Sequence, residues 1–162
     1  MKNLLLNAET SVVKAVVDLA KQLSDEGLSK GIEYVELDAR VELKDVELPE
    51  GDLMGVTQFS ISEVQPKLWN IHFLIGVSTV ADTNLFRLRA LANAIYDRFP
   101  CGAQMTYYDA ETAAEQSWIQ VIPGTVQLPT HRVETRPFRF IQVFAVLDPL
   151  QGSRQEQPDL VP

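Results

Sequence analysis

Apolar side chains recur at three- and four-residue steps through Val12, Val13, Val16, Ala20 and Leu23, the spacing that lines one face of an α-helix. Thr10 and Ser11 stand before them as capping residues, and Gly27 stands where a left-handed residue ends a helix. The pattern predicts a first helix over about residues 10–25. The period then changes to two. Val35, Leu37, Ala39, Val41 and Leu43 alternate with Glu36, Asp38, Arg40, Glu42 and Lys44, which predicts a strand with one buried and one charged face.

The segment from Asp45 to Gly55 combines Pro49, Gly51 and Gly55 with four acids and reads as a projecting connection between antiparallel strands. Its Val46, Leu48, Leu53 and Met54 suit an exposed loop only if a partner or the parent sheet covers them. Residues 55–62 and 67–79 read as strands, with a turn at Gln65-Pro66 and with Trp69, Ile71, Phe73, Ile75 and Val77 on one face of the second. Asp82 and Thr83 can cap a second helix, whose inner stripe is Leu85, Leu88, Leu91, Ala92, Ile95 and Phe99 and whose outer face holds Asn84, Arg87, Asn93, Asp97 and Arg98. Pro100 and Gly102 stop it. Strands follow near residues 103–108, 118–122 and 138–147; the last, apolar on both faces, suits a central strand or one lying against another subunit. The order predicts an α+β fold, a mainly antiparallel sheet with two principal helices packed on one side. Residues 1–148 form one domain in this reading, and the aperiodic, proline-containing residues 149–162 form a flexible tail.

Composition narrows the function. With 14 basic and 22 acidic residues the net charge is 14 − 22 = −8, which disfavours specific nucleic-acid binding because phosphate is repelled. Residues 1–65 hold 13 acids and 6 bases, against 9 and 8 in the remainder, so one region of the surface concentrates negative field. No run approaches the roughly 20 apolar residues of a membrane helix. The lone Cys101 cannot close an internal disulfide, and the opening residues lack the apolar run of a secretory signal. The cytoplasm is the expected compartment.

Candidate chemistry is sparse. His72, His131 and Cys101 are the only nitrogen or sulfur ligands, too few for a zinc site without carboxylates, and His131 with Glu134 sits in a proline-flanked loop. Cys101, at a helix C-terminus, reads as a small buried residue. Ser11 and Lys14 have the S-x-x-K spacing of some serine acylases without its companion motifs, while Ser11 also reads as a cap. Asp109, Glu111 and Glu115 form an acidic cluster that reads as a solvated loop or first helical turn. Beside Tyr107 and Tyr108 it is the best lining for a small-molecule-binding or hydrolytic site, the alternative reading. No catalytic, cofactor or metal residue is assigned.

The helix D-T-N-L-F-R-L-R-A-L-A-N-A-I-Y-D-R-F before Pro100, the charged alternating strand, the acidic loop and the late R-P-F-R-F-I-Q-V-F-A-V-L-D strand together resemble the tail terminator (tail completion) proteins of long-tailed bacteriophages, over about residues 8–150. The resemblance implies a non-enzymatic structural subunit without cofactor. Such a subunit assembles as a homohexameric ring that caps the tail tube, ends its polymerisation and presents a surface to the head. It implies tail-tube and head–tail connector proteins as partners, DNA passing through the ring without specific binding, assembly in the host cytoplasm, and a final place in the virion tail. Another phage structural part, a connector or baseplate component, is a second possibility of the same kind. On this reading Glu47, Leu48, Glu50, Asp52 and Leu53 form a lumen- or tube-facing contact, and Phe138, Phe140 and Phe144 a subunit interface.

Overall fold

A computed structural model describes residues 3–38, 48–133 and 136–147. Helix α1 (Leu4–Asp25) is followed by strands β1 (Ile32–Tyr34), β2 (Asp52–Gln65) and β3 (Leu68–Ser78), a short 3₁₀ turn (Thr83–Leu85) and helix α2 (Phe86–Asp97). Then come β4 (Gln104–Tyr108), β5 (Glu115–Val121), β6 (Val126–Gln127), β7 (His131–Val133) and β8 (Arg136–Leu147). The strands form one sheet in the order β1-β2-β3-β8-β5-β4, with β6 and β7 also paired to β8. Among the described strands only β1 with β2 is parallel. The architecture is the α+β class expected, with both helices on one side of the sheet.

The period-two pattern of β3 decides which face is covered. Ile71, Phe73, Ile75 and Val77 point to the helices and join Met54 and Val56 of β2, Ile141, Val143, Ala145 and Leu147 of β8, and the inner stripes of α1 and α2 in the main core. The α2 stripe is as expected, with Leu88, Leu91, Ala92 and Ile95 all fully buried. Each such leucine or isoleucine contributes about 1.5–3 kcal/mol of transfer free energy. At the β2–β3 turn Pro66 is followed by Lys67 at φ 66°, the left-handed residue that a type II turn needs after proline.

α1 begins six residues earlier than its capping pair suggests. Ala8 extends the buried stripe one turn back from Val12, and Ser11, inside the helix, donates to the Asn7 carbonyl at 2.6 Å instead of capping. The other end is as expected, with Gly27 at φ 80°. α1 touches β1 and β2 and also β4, at the opposite end of the strand order. Its buried polar side chains serve the hairpin beyond β4: Ser11 Oγ accepts from Tyr108 N at 2.9 Å and Asn7 Oδ1 from Ala110 N at 2.9 Å.

Three expectations are corrected. The strand expected over the alternating residues from Val35 is not formed at residues 35–38; strand β1 precedes them at Ile32–Tyr34 and runs parallel to β2, so β1 and β2 are not the antiparallel neighbours expected on either side of the acidic segment. Val35, whose amide donates to the Met54 carbonyl at 2.8 Å, and Leu37 are buried against the second face of the sheet; residues 39–47 lie outside the described set. β8, by contrast, is the central strand that its two apolar faces suit, paired with β3 on one edge and with β5, β6 and β7 on the other, so it offers no free edge. Cys101 is exposed in its turn.

The second face carries its own small core of Val35, Leu37, Leu53 and Phe138, with Leu48 and Phe140 packed against it. Two glycines make room for it. A Cβ on Gly55 would lie 2.2 Å from the Val35 carbonyl oxygen, and one on Gly76 would lie 2.9 Å from Leu37 Cδ1 and 3.0 Å from the Phe140 ring. Only hydrogen at these positions lets the 35–37 segment lie on the sheet.

Candidate interaction site

The acidic segment enters the sheet at Asp52, the first residue of β2, and there a side chain expected to face a partner turns inward. Asp52 is 5% exposed. Its Oδ2 accepts from Ser29 Oγ at 2.6 Å and from Arg87 Nε at 2.8 Å, and its Oδ1 from an Arg87 terminal nitrogen at 3.0 Å and from Val80 N at 3.2 Å. Arg87 also donates to the Val80 carbonyl. Burial works against the charged carboxyl, but these donors outweigh it and hold Asp52 below the usual carboxylate range, while Asp52 in turn raises Arg87. Asp82 completes the arrangement. Its carboxylate accepts from the Arg87 and Leu88 amides at 2.9 and 2.8 Å, capping α2 and placing the guanidinium over β2.

A second arginine grips the segment itself. Arg136 donates through Nε to Ser78 Oγ at 2.8 Å and through its terminal nitrogens to the carbonyls of Pro49 and Gly51. Ser78 Oγ itself donates to the Pro137 carbonyl at 2.6 Å. Burial lowers Arg136 from the ordinary arginine value, and Asp52 opposes that shift. The loop backbone at 49–51 is thus fixed from beneath, with the Glu50 side chain exposed.

The predicted contact residues therefore divide. Glu50 is at the surface and Leu48 is partly buried against the second-face core. Asp52 and Leu53 are buried strand residues, Leu53 at 0% exposure, and Glu47 lies outside the described residues. Among the predicted interface aromatics, Phe138 is 0% exposed under the chain's own Val35, Leu37 and Leu53. Phe140, half-buried, stacks beside it at 6.0 Å, and half-buried Phe144 packs against His72 at 4.9 Å between ring centres. Arg87, assigned to the outer helix face by periodicity, and Arg136 and Ser29 were missed. Their partners lie 23 to 87 residues away, and no local pattern marks such a pair.

The remaining candidates separate as well. Ser11 Oγ is engaged with Asn7 and Tyr108, and Lys14 Nζ sits 4.0 Å over the Tyr108 ring, so the amine is not poised to activate the hydroxyl. Asp109 Oδ1 accepts from the amides of Glu111 and Thr112 at 2.8 and 3.0 Å, closing the β4–β5 turn as a loop. Tyr107 is buried in the core and Tyr108 points to the other side of β4, so the two tyrosines do not line one site with the acids. His131 is exposed on β7, and Glu134 lies outside the described residues. Among the described residues no three His, Cys, Asp or Glu side chains converge as metal ligands, and no helix is long and apolar enough to cross a membrane.

One further cluster has no counterpart in the sequence reading. Glu9 of α1 lies in the field of Glu36 and Asp38, and burial together with those two carboxylates raises its carboxyl. Tyr34 beside them is pushed up to about 12 by burial and by the charges of Glu36, Asp38 and Glu9. No protein-family model matches the chain, and no curated protein matches it.

Proposed function

We propose that this chain is a structural subunit of a phage tail, which assembles as a ring on the tail tube, ends tube growth and presents a surface for head joining. The observation that carries the reading is the Arg136 clasp on Pro49 and Gly51. It gives the acidic segment a fixed base on the sheet, so that a protein contact made there loses little conformational entropy. Of the elements that carry the resemblance, the helix α2 and the late strand β8 support the reading. The charge, −8 overall, suits a ring through which DNA moves without adhering.

The test is charge reversal at acids of the segment. Asp52 is excluded because it is buried and holds Ser29, Val80 and Arg87 together. Glu47→Lys with Glu50→Lys is expected to leave thermal unfolding within a few degrees of wild type and to reduce co-sedimentation with tail-tube protein by at least about tenfold, a loss of about 1.4 kcal/mol. Unchanged tube binding by the folded variant would remove the segment from the contact. Absence of tube binding by the wild-type chain would remove the tail reading itself.

A further inference from the structure

The second face of the sheet holds a groove of about 750 Å³ whose floor is Leu74 and Phe140 and whose walls include Leu37 and Leu128, with Asp38 and Gln58 at one rim and Thr130 and His131 at the other. That volume leaves room for more than one side chain of a docking partner. One wall is distorted. The β2–β3 ladder slips between Thr57 and Ser60, and Gln58 sits at φ 53°, a left-handed conformation that costs of order 1–3 kcal/mol for a residue other than glycine. The strained amide of Gln58 donates to Asp38 Oδ1 at 3.3 Å and Thr57 Oγ1 donates to the same oxygen at 2.6 Å. The bulge thus pins an exposed carboxylate at the mouth of an apolar groove, and Glu36 and Glu9 add charge of the same sign.

A complementary feature exists elsewhere on the same chain. Phe86 opens α2 and is 77% exposed, far more than any other large apolar residue of the described set. Arg89, also exposed, stands three residues on, which places the two side chains side by side on the helix surface. Leu85 at φ 57° and Asn84 at φ 60° force the chain into the helix through two successive left-handed residues, and that abrupt entry leaves Phe86 standing out. An exposed aromatic flanked by arginine is the composition that dominates protein contacts.

We infer that Phe86 and Arg89 of one copy of this chain dock into the Leu74–Phe140 groove of a second copy, the ring on the apolar floor and the guanidinium at the Asp38 rim. This rests on the self-assembly part of the function proposed above and names its interface. α2 packs on one face of the sheet and the groove opens on the other, so the contact is head-to-tail. Each docked copy still offers one knob and one groove, and such a heterologous contact continues until the rotation closes it into a ring.

The experiment is sedimentation velocity of the purified chain over a concentration series reaching about 1 mM, where an interface worth only about 4 kcal/mol is half formed. Wild type is expected to self-associate, Phe86→Ala to weaken association at least about 30-fold, and Arg89→Glu about tenfold. Asp38→Arg should also weaken it, and mixing Asp38→Arg with Arg89→Glu should restore it, because each wrong charge then meets its opposite. Should Asp38→Arg fail to fold, Glu36→Arg, at an exposed position, takes its place in the mixture. Association unaffected by Phe86→Ala, no recovery on mixing, or a wild-type chain that stays monomeric throughout would each overturn the inference. Tube binding in the co-sedimentation assay would still stand or fall separately, so failure here and failure of the tail reading are distinguishable.

Discussion

Arg87 meets Asp52 side-on, Nε to Oδ2 at 2.8 Å and a terminal nitrogen to Oδ1 at 3.0 Å, across 35 residues of sequence. The pair joins the first turn of α2 to the first residue of β2, and its two members differ in what their loss leaves behind. Asp52 keeps 4% side-chain exposure and Arg87 31%, so the guanidinium alone can be rehydrated while the carboxylate alone cannot.

Arg87→Ala is therefore expected to destabilise the fold by about 2–3 kcal/mol at pH 7, below the full cost of breaking a wholly buried pair because Arg87 reaches solvent. Urea unfolding at fixed pH measures this. A change under about 0.5 kcal/mol would show that the pair is a surface ion pair in effect.

The pH dependence follows from the same groups. Asp52 and Asp82 both have folded pKa values below their unfolded ones, burial being outweighed by the donors around them. Their contribution is present above the unfolded value of about 4 and is lost as pH falls through the depressed folded value. Urea midpoints should fall as the pH drops below about 4, and Asp82→Asn should flatten that fall.

Glu9 has the opposite sign. Burial, Asp38 and Glu36 raise its folded pKa, so its ionised form opposes folding above about pH 4.5 and the penalty vanishes below it. Glu9→Gln is expected to raise the melting temperature at pH 7 and to have no effect at pH 3. A lower melting temperature at pH 7 would mean that a cation answers these three carboxylates in the folded protein.

Gly55 and Gly76 give a graded steric test. Gly55→Ala drives Cβ into a backbone oxygen at 2.2 Å, whereas Gly76→Ala meets the ends of two side chains at 2.9 and 3.0 Å. The first should cost about 3 kcal/mol or more and the second about 1 kcal/mol, since side chains can yield and backbone cannot. Chemical denaturation of the two variants side by side checks the order.

Most of the elements were readable from spacing. The α2 stripe, the inward face of β3 and the class of the fold depend on periods of 3.6 and 2, which residues a few positions apart record directly. Helix α1 was misread at its start because Ser11 resembles a cap, yet its hydroxyl is used by Asn7 and Tyr108. β6 and β7 were missed, being two and three residues long, too short to show a period. Of the predicted contact residues, Glu50 was placed at the surface as read, while Asp52, Leu53 and Phe138 were taken for surface and are interior.

Periodicity and composition by themselves determined that this chain is an acidic α+β protein with two amphipathic helices and a mainly antiparallel sheet, because hydrophobic spacing and charge count are local sums. Only the tertiary structure decided that β8 is central, that Asp52 faces Arg87, and that an exposed Phe86 and an acid-rimmed groove lie on different faces of one molecule. Those facts depend on contacts between residues tens of positions apart, where geometry and burial select the partner and no short pattern in the chain records the choice.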